Sequence, residues 1–181
     1  MTDDDINGIR SIYATRQRNV FSNFDAAVEG EASFASKGYF FYGFRYLRYD
    51  YSDDLPDPGY PLYIQTEWHE LPAGFGFPRG IDAALNGQEG FAGKLYMFKG
   101  DQYVRYDWAT DTTDPGYPKP IAGMWPGLPP DFTSGIQAAM NGRAGYEGKL
   151  YLFKGANYVR YDWAADRADP GYPLPIEFYW L

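Results

Sequence analysis

Residues 80–125 and 135–180 align without a gap at an offset of 55, with 30 identities in 46 positions. Such self-similarity constrains the fold more than composition does, because a repeat that cannot bury its own faces must stack on its neighbours. Both copies carry Gly-Lys-Leu-Tyr-x-Phe-Lys-Gly (93–100 and 148–155) and Tyr-Val-Arg-Tyr-Asp-Trp-Ala (103–109 and 158–164). Asp-Pro-Gly-Tyr-Pro follows at 114–118 and 169–173. A diverged third copy precedes them at an offset of 57, with Asp25-Ala26-Ala27, Tyr46-Leu47-Arg48-Tyr49-Asp50 and Asp57-Pro58-Gly59-Tyr60-Pro61. Each copy closes on Ile-x-x-x-Trp: Ile64 to Trp68, Ile121 to Trp125, Ile176 to Trp180. Ile9-Arg10-Ser11-Ile12-Tyr13 fits the same closing element, with Tyr13 12 residues before Asp25 as Trp125 is before Gln137. The run is short enough for a chance match.

Within a copy, local signals favour short strands. Leu95-Tyr96-Met97-Phe98 is apolar throughout, as a strand covered on both faces would be. Lys99-Gly100-Asp101-Gln102 supplies turn chemistry before Tyr103–Trp108, where Val104, Tyr106 and Trp108 share one face. Asp114-Pro115-Gly116-Tyr117-Pro118 reads as a turn into an edge strand, since two prolines forbid a central ladder. Ile121 and Trp125 share a face if one helical turn ends the unit. Strands at this period, punctuated by Gly and Pro, suggest propeller blades.

Composition then removes whole classes of function. There is no Cys, so disulfides, thiolate metal sites and cysteine nucleophiles are excluded. One His cannot supply paired zinc ligands or two axial haem ligands. A net charge of −8 argues against a nucleic-acid partner. No apolar run is long enough to span a bilayer, and the start, Met1-Thr2-Asp3-Asp4-Asp5, is not an apolar signal-type segment. The expectation is a cytoplasmic or non-classically secreted protein. Asp3, Asp4 and Asp5 either cap a helix carrying Ile9 and Tyr13 or form a solvated acidic tail. No phosphate loop, nucleophile elbow or His-Glu metal motif is present, so no enzymatic activity is expected.

The combination Ile-Asp-Ala-Ala, Leu-Tyr-x-Phe-Lys-Gly-x-x-Tyr-Val-Arg-Tyr-Asp, Asp-Pro-Gly-Tyr-Pro and Trp125-Pro126-Gly127-Leu128-Pro129 resembles the haemopexin-type repeat. The resemblance covers residues 21–181. It implies an all-β, haemopexin-like β-propeller with three recognisable blades, near 21–70, 78–127 and 133–181, after an N-terminal segment 1–20. Each blade would have four antiparallel strands and a short helical turn. The family's ring normally has four blades, so the propeller is expected to be incomplete, or to close by oligomerisation or by tight N-to-C contact of Ile9, Ile12 and Tyr13 with Trp180.

The resemblance also implies site residues. Its innermost strands line a central channel, where main-chain groups at the Asp and second Ala positions hold Ca²⁺ or Na⁺. Here those positions are Asp25 and Ala27, Asp82 and Ala84, Gln137 and Ala139. Three blades give three carbonyls per layer, while Ca²⁺ takes six to eight oxygens. Plain packing of small residues explains the alanines equally. Haem is not expected, since His69 has no partner histidine. Arg48, Arg105 and Arg160 stand two residues before Asp50, Asp107 and Asp162, on one strand face, and read as scaffold ion pairs or as an anion-receiving ring. Tyr60, Tyr117, Tyr172, Trp68, Trp125 and Trp180 read mainly as inter-blade packing. Trp108 and Trp163 are the candidate ligand-binding aromatics: exposed they would stack on a glycan, buried they favour a ligand at the axis. The expected function is a non-enzymatic binding module for an ion, small ligand or protein partner, or else a self-assembling, lectin-like or host-surface interaction protein. An ancillary domain of a toxin or protease system is a third reading.

Overall fold

A computed structural model describes residues 24–76, 78 and 80–180. The segment 1–20, with Asp3–Asp5 and the Ile9–Tyr13 element, lies outside the described residues. The described residues form three antiparallel sheets, one per sequence copy. The first holds β1 (Ala26–Glu29), β2 (Lys37–Tyr42), β3 (Arg45–Asp50), β4 (Leu55–Pro56) and β5 (Leu62–Tyr63), followed by α1 (Ile64–Glu67). The second holds β6 (Ala83–Asn86), β7 (Lys94–Lys99), β8 (Gln102–Asp107), β9 (Thr112–Thr113) and β10 (Lys119–Pro120). The third holds β11 (Ala138–Asn141), β12 (Lys149–Lys154), β13 (Asn157–Asp162), β14 (Arg167–Ala168) and β15 (Leu174–Pro175), then α2 (Ile176–Tyr179).

Each sheet is a blade whose fourth strand is split. In blade 1, β4 pairs one end of β3 at Tyr49 and Asp50, and β5 pairs the other end at Arg45 and Tyr46. Asp57-Pro58-Gly59-Tyr60-Pro61 is the turn between them, and two prolines deprive it of ladder donors. The closing turn is helical in blades 1 and 3. In blade 2 it is a hydrogen-bonded turn, with Gly123 at φ 77°, and the Trp125 amide still reaches the Ile121 carbonyl at 3.2 Å.

The inner strands β1, β6 and β11 lie side by side around the axis. Each middle strand is buried on both sides, as its unbroken apolar run predicts: Leu95, Tyr96, Met97 and Phe98 are all in the core. Alternation assigns the two faces. Met97, Val104, Tyr106 and Trp108 pack toward blade 1, while Tyr96, Phe98 and Tyr103 pack toward blade 3. Backbones approach closely between blades. Gly80 sits at φ 70° where a Cβ would fall 1.5 Å from the Gly43 carbonyl oxygen, so only glycine fits.

The arginine–aspartate spacing resolves differently from an i, i+2 pair. Arg48 bonds Asp57 of the Pro-Gly turn, and Lys37 bridges Asp50 at 2.5 Å and Asp57 at 2.9 Å. Lys94, Arg105, Asp107 and Asp114 repeat this in blade 2, and Lys149, Arg160, Asp162 and Asp169 in blade 3. The cluster staples the turn onto the middle strands. The arginine plane then covers the turn tyrosine, 5.0 Å from the Tyr60 ring centre, 5.5 Å for Tyr117 and 5.4 Å for Tyr172.

These carboxylates titrate low. The bond from Lys37 holds Asp50 at about 2, and Lys94 and Lys149 likewise hold Asp107 and Asp162 below the usual range. The folded state therefore keeps them ionised where the unfolded chain, titrating near about 3.9, takes up protons. Their contribution is fully present above about pH 4 and disappears as the pH falls toward about 2. Urea midpoints should fall steeply across that interval, and Asp107→Asn should flatten part of the slope. A midpoint that stays level from pH 4 to pH 2 would contradict the assignment.

Candidate functional site

Of the expected channel positions, Ala27, Ala84 and Ala139 line a common cavity, while the side chains of Asp25, Asp82 and Gln137 are used locally. The Asp25 carboxylate accepts the Gly43 amide at 2.6 Å, and Asp82 accepts Gly100 at 2.7 Å. Gln137 replaces the aspartate without loss, since its amide oxygen accepts Gly155 at 2.7 Å. These bonds tie each inner strand to the β-hairpin turn beside it. Ala27, Ala84 and Ala139 line an axial cavity of about 350 Å³. Among the described residues, no three carboxylate or imidazole side chains gather to hold a metal. Glu29 and Arg143 also line the cavity, so an axial cation would have main-chain oxygens, water and at most one carboxylate to bind it.

Trp108 and Trp163 are each 2% exposed, so neither offers a ring for stacking on a sugar. They act instead as polar latches. The Trp108 indole N–H donates to Asn86 Oδ1 at 2.8 Å, and Asn86 Nδ2 donates across the seam to the Glu29 carbonyl at 2.7 Å. Trp163, Asn141 and the Asn86 carbonyl repeat the chain at 2.9 and 2.7 Å. Copy one has Tyr51 and Glu29 at the two positions. That paired change was the sequence signal for the latch. A second seam bond comes from Glu31 and Gln88, which accept the amides of Gly93 and Gly148, each at 3.1 Å. The lone histidine serves the first seam too: exposed His69 lies 2.9 Å from the Asp111 carbonyl through Nδ1.

The closing tryptophans build the more consequential feature. Trp68 packs on Phe41 and Tyr39 of its own blade at 5.3 and 5.4 Å, and on Tyr106 and Trp108 of the next at 5.0 and 5.8 Å. Trp125 does the same with Phe98 and Tyr96, then Tyr161 and Trp163. Both are 4% exposed. Trp180 contacts Tyr151, Phe153 and Tyr158 of its own blade at 5.2, 5.3 and 5.5 Å. No ring of a following blade covers it among the described residues, and it is 41% exposed.

The consequence is one cavity repeated three times. In the first seam Tyr39, Tyr46, Arg48, Tyr60 and Trp68 line about 190 Å³, closed by Trp108 and Asp111 of the next blade. In the second, Tyr96, Tyr103, Arg105, Tyr117 and Trp125 line about 180 Å³, closed by Trp163 and Asp166. In blade 3 the equivalent set, Tyr151, Tyr158, Arg160, Tyr172 and Trp180, opens as a groove of about 560 Å³. Burial pushes the Tyr39 hydroxyl up to about 12 against the Arg48 guanidinium, with the Asp111 charge adding to the rise. Burial likewise raises Tyr151, and takes Tyr172 to about 12. At neutral pH these hydroxyls stay protonated, able to donate.

A family model described as Hemopexin matches residues 81–130 and 136–181. Vitronectin of Sus scrofa is 35% identical over 113 residues, which is 62% of this chain and 22% of vitronectin. Matrix metalloproteinase-25 of Homo sapiens is 34% identical over 157 residues, 87% of this chain and 25% of the relative. The chain thus spans about a quarter of the curated relatives it matches. Among solved structures, a plant lectin with two metal binding sites from Cicer arietinum superposes with a TM-score of 0.69 at 27% identity, covering 87% of this chain and 69% of the lectin.

The seams predict unequal costs for the same substitution. Trp125→Ala should cost about 3–5 kcal/mol, as a buried aromatic does. Trp180→Ala, with no second blade to lose, should cost about 1 kcal/mol or less. Equal losses in parallel urea titrations would show that Trp180 is covered in solution.

Proposed function

Because the chain belongs to the haemopexin family, we propose that it is a non-enzymatic binding module that takes a protein partner on the open flank of blade 3. One observation carries the reading: the socket that is filled in both internal seams stands open around Trp180. Exposed Met140, Tyr146, Phe178 and Tyr179 continue the apolar surface beside it. An aromatic surface of this extent, crossed by Arg143 and Arg160, has the composition of a binding hot spot. The name of the Cicer arietinum lectin keeps glycan recognition as the alternative, and buried Trp108 and Trp163 weigh against it. Self-association would use the same flank.

Protein and glycan arrays probed in parallel with wild-type chain and Trp180→Ala separate these readings. The expected result is protein binding that Trp180→Ala weakens at least about tenfold, with no glycan signal. Glycan binding indifferent to Trp180→Ala would replace this reading with the lectin-like one.

A second, independent proposal concerns the axis. The three alanines around the axial cavity support a structural Ca²⁺ or Na⁺ held by main-chain oxygens at Asp25, Ala27, Asp82, Ala84, Gln137 and Ala139. A ligand at a hundredfold excess over its Kd stabilises by about 2.7 kcal/mol. Melting in CaCl₂ or NaCl should therefore exceed melting in EDTA with choline chloride by several degrees. Identical melting in all three would remove the ion.

A further inference from the structure

Building on the blade 3 flank as the binding surface, we infer that its partner is the outer-edge hairpin of another haemopexin-type repeat on a different chain. Recognition rests on an aromatic side chain and an aspartate three residues beyond it. The molecule contains two filled examples. Trp108 and Asp111 enter the first socket, and Trp163 and Asp166 bound the second. In each hairpin the aspartate is preset at positive φ, 55° and 48°, by a bond from a tyrosine hydroxyl at 2.8 and 2.7 Å.

The open groove keeps the two tyrosines, arginine, turn tyrosine and closing tryptophan that the filled sockets take from their own blade, and lacks what the next blade adds. Arg143 and Arg160 line it, and no carboxylate does among the described residues. The acid that the first two sockets receive, Asp111 or Asp166, comes from the following blade. Tyr151 and Tyr172, protonated at neutral pH, add donors. Arg143 sharpens the preference. It stands where Glu31 and Gln88 accept a glycine amide, and a guanidinium can only donate. An acceptor on the incoming edge would suit that point, beside the Glu29 carboxylate 3.8 Å away.

A second copy of this chain fits less well. Its Trp108 and Trp163 hairpins are buried in their own seams. Within one molecule Arg143 of blade 3 lies 3.8 Å from Glu29 of blade 1. Blades 1 and 3 therefore approach each other at the axis, which limits how deeply a three-bladed body could reach along the flank.

The test titrates the intact chain calorimetrically with a backbone-cyclised peptide of residues 104–114, which carries the Trp108/Asp111 pair. Saturable binding is expected. It should weaken about thirtyfold with the peptide variant Trp108→Ala and about tenfold with the peptide variant Asp111→Asn. On the protein, Trp180→Ala and Tyr179→Ala should each weaken it, and two exposed positions guard against loss through misfolding. Absence of saturable binding, or binding that ignores all four changes, overturns the inference. Protein partners that depend on Trp180 but are not displaced by the peptide overturn it too, while leaving the blade 3 flank as the binding surface. A dimer in sedimentation that Trp180→Ala abolishes overturns it in favour of a second copy.

Discussion

A tryptophan wedged between two sheets holds this architecture together. Trp68 and Trp125 belong by sequence to the end of one blade, yet each also packs its ring on a tyrosine and a tryptophan of the next. Neither blade could bury its own face alone. Burying a side chain of this size removes enough apolar surface from water to outweigh any single polar contact in the seam. The polar contacts then fix register. Asn86 and Asn141 can cross to the preceding inner strand only because an indole N–H holds the amide in one orientation.

The ion clusters work at a different level, within each blade. The Pro-Gly turn interrupts the outer strand and would otherwise hang from the sheet edge. Lys37 and Arg48 draw Asp57 back over β3, and the guanidinium settles on Tyr60. Apolar seams thus join blades, while charged staples shape them. This division explains why the arginines are scaffold here and why one of them, Arg160, is nonetheless available at the groove: its Nε is committed to Asp169 while the side chain still lines the open surface.

Much of this was legible in the residues. The apolar run at Leu95–Phe98 announced a strand covered on both sides, and the alternation of Val104, Tyr106 and Trp108 announced that they share a face. The closing tryptophans read as inter-blade packing, and Trp68 and Trp125 do meet the Tyr-x-Trp of the following copy. Three-dimensional partners were harder to read. Same-face spacing pointed Arg48 at Asp50, whereas the turn carries Asp57 nine residues on to meet it. Trp108 and Trp163 looked like ligand aromatics because nothing local reveals that their polar edge is already satisfied by an asparagine 22 residues earlier.

Among the described residues, blade 2 shares a seam on both sides, while blade 3 shares one. Stability in a stacked array is a sum of intrinsic and nearest-neighbour contributions. The molecule is therefore graded rather than uniform: amides of β7 and β8 exchange only when most of the structure opens, and those of β12 and β13 can exchange when one seam parts. The end that offers a free groove is one of the two held by a single seam among the described residues, so a partner seated on Trp180 would also slow proteolysis of the final blade.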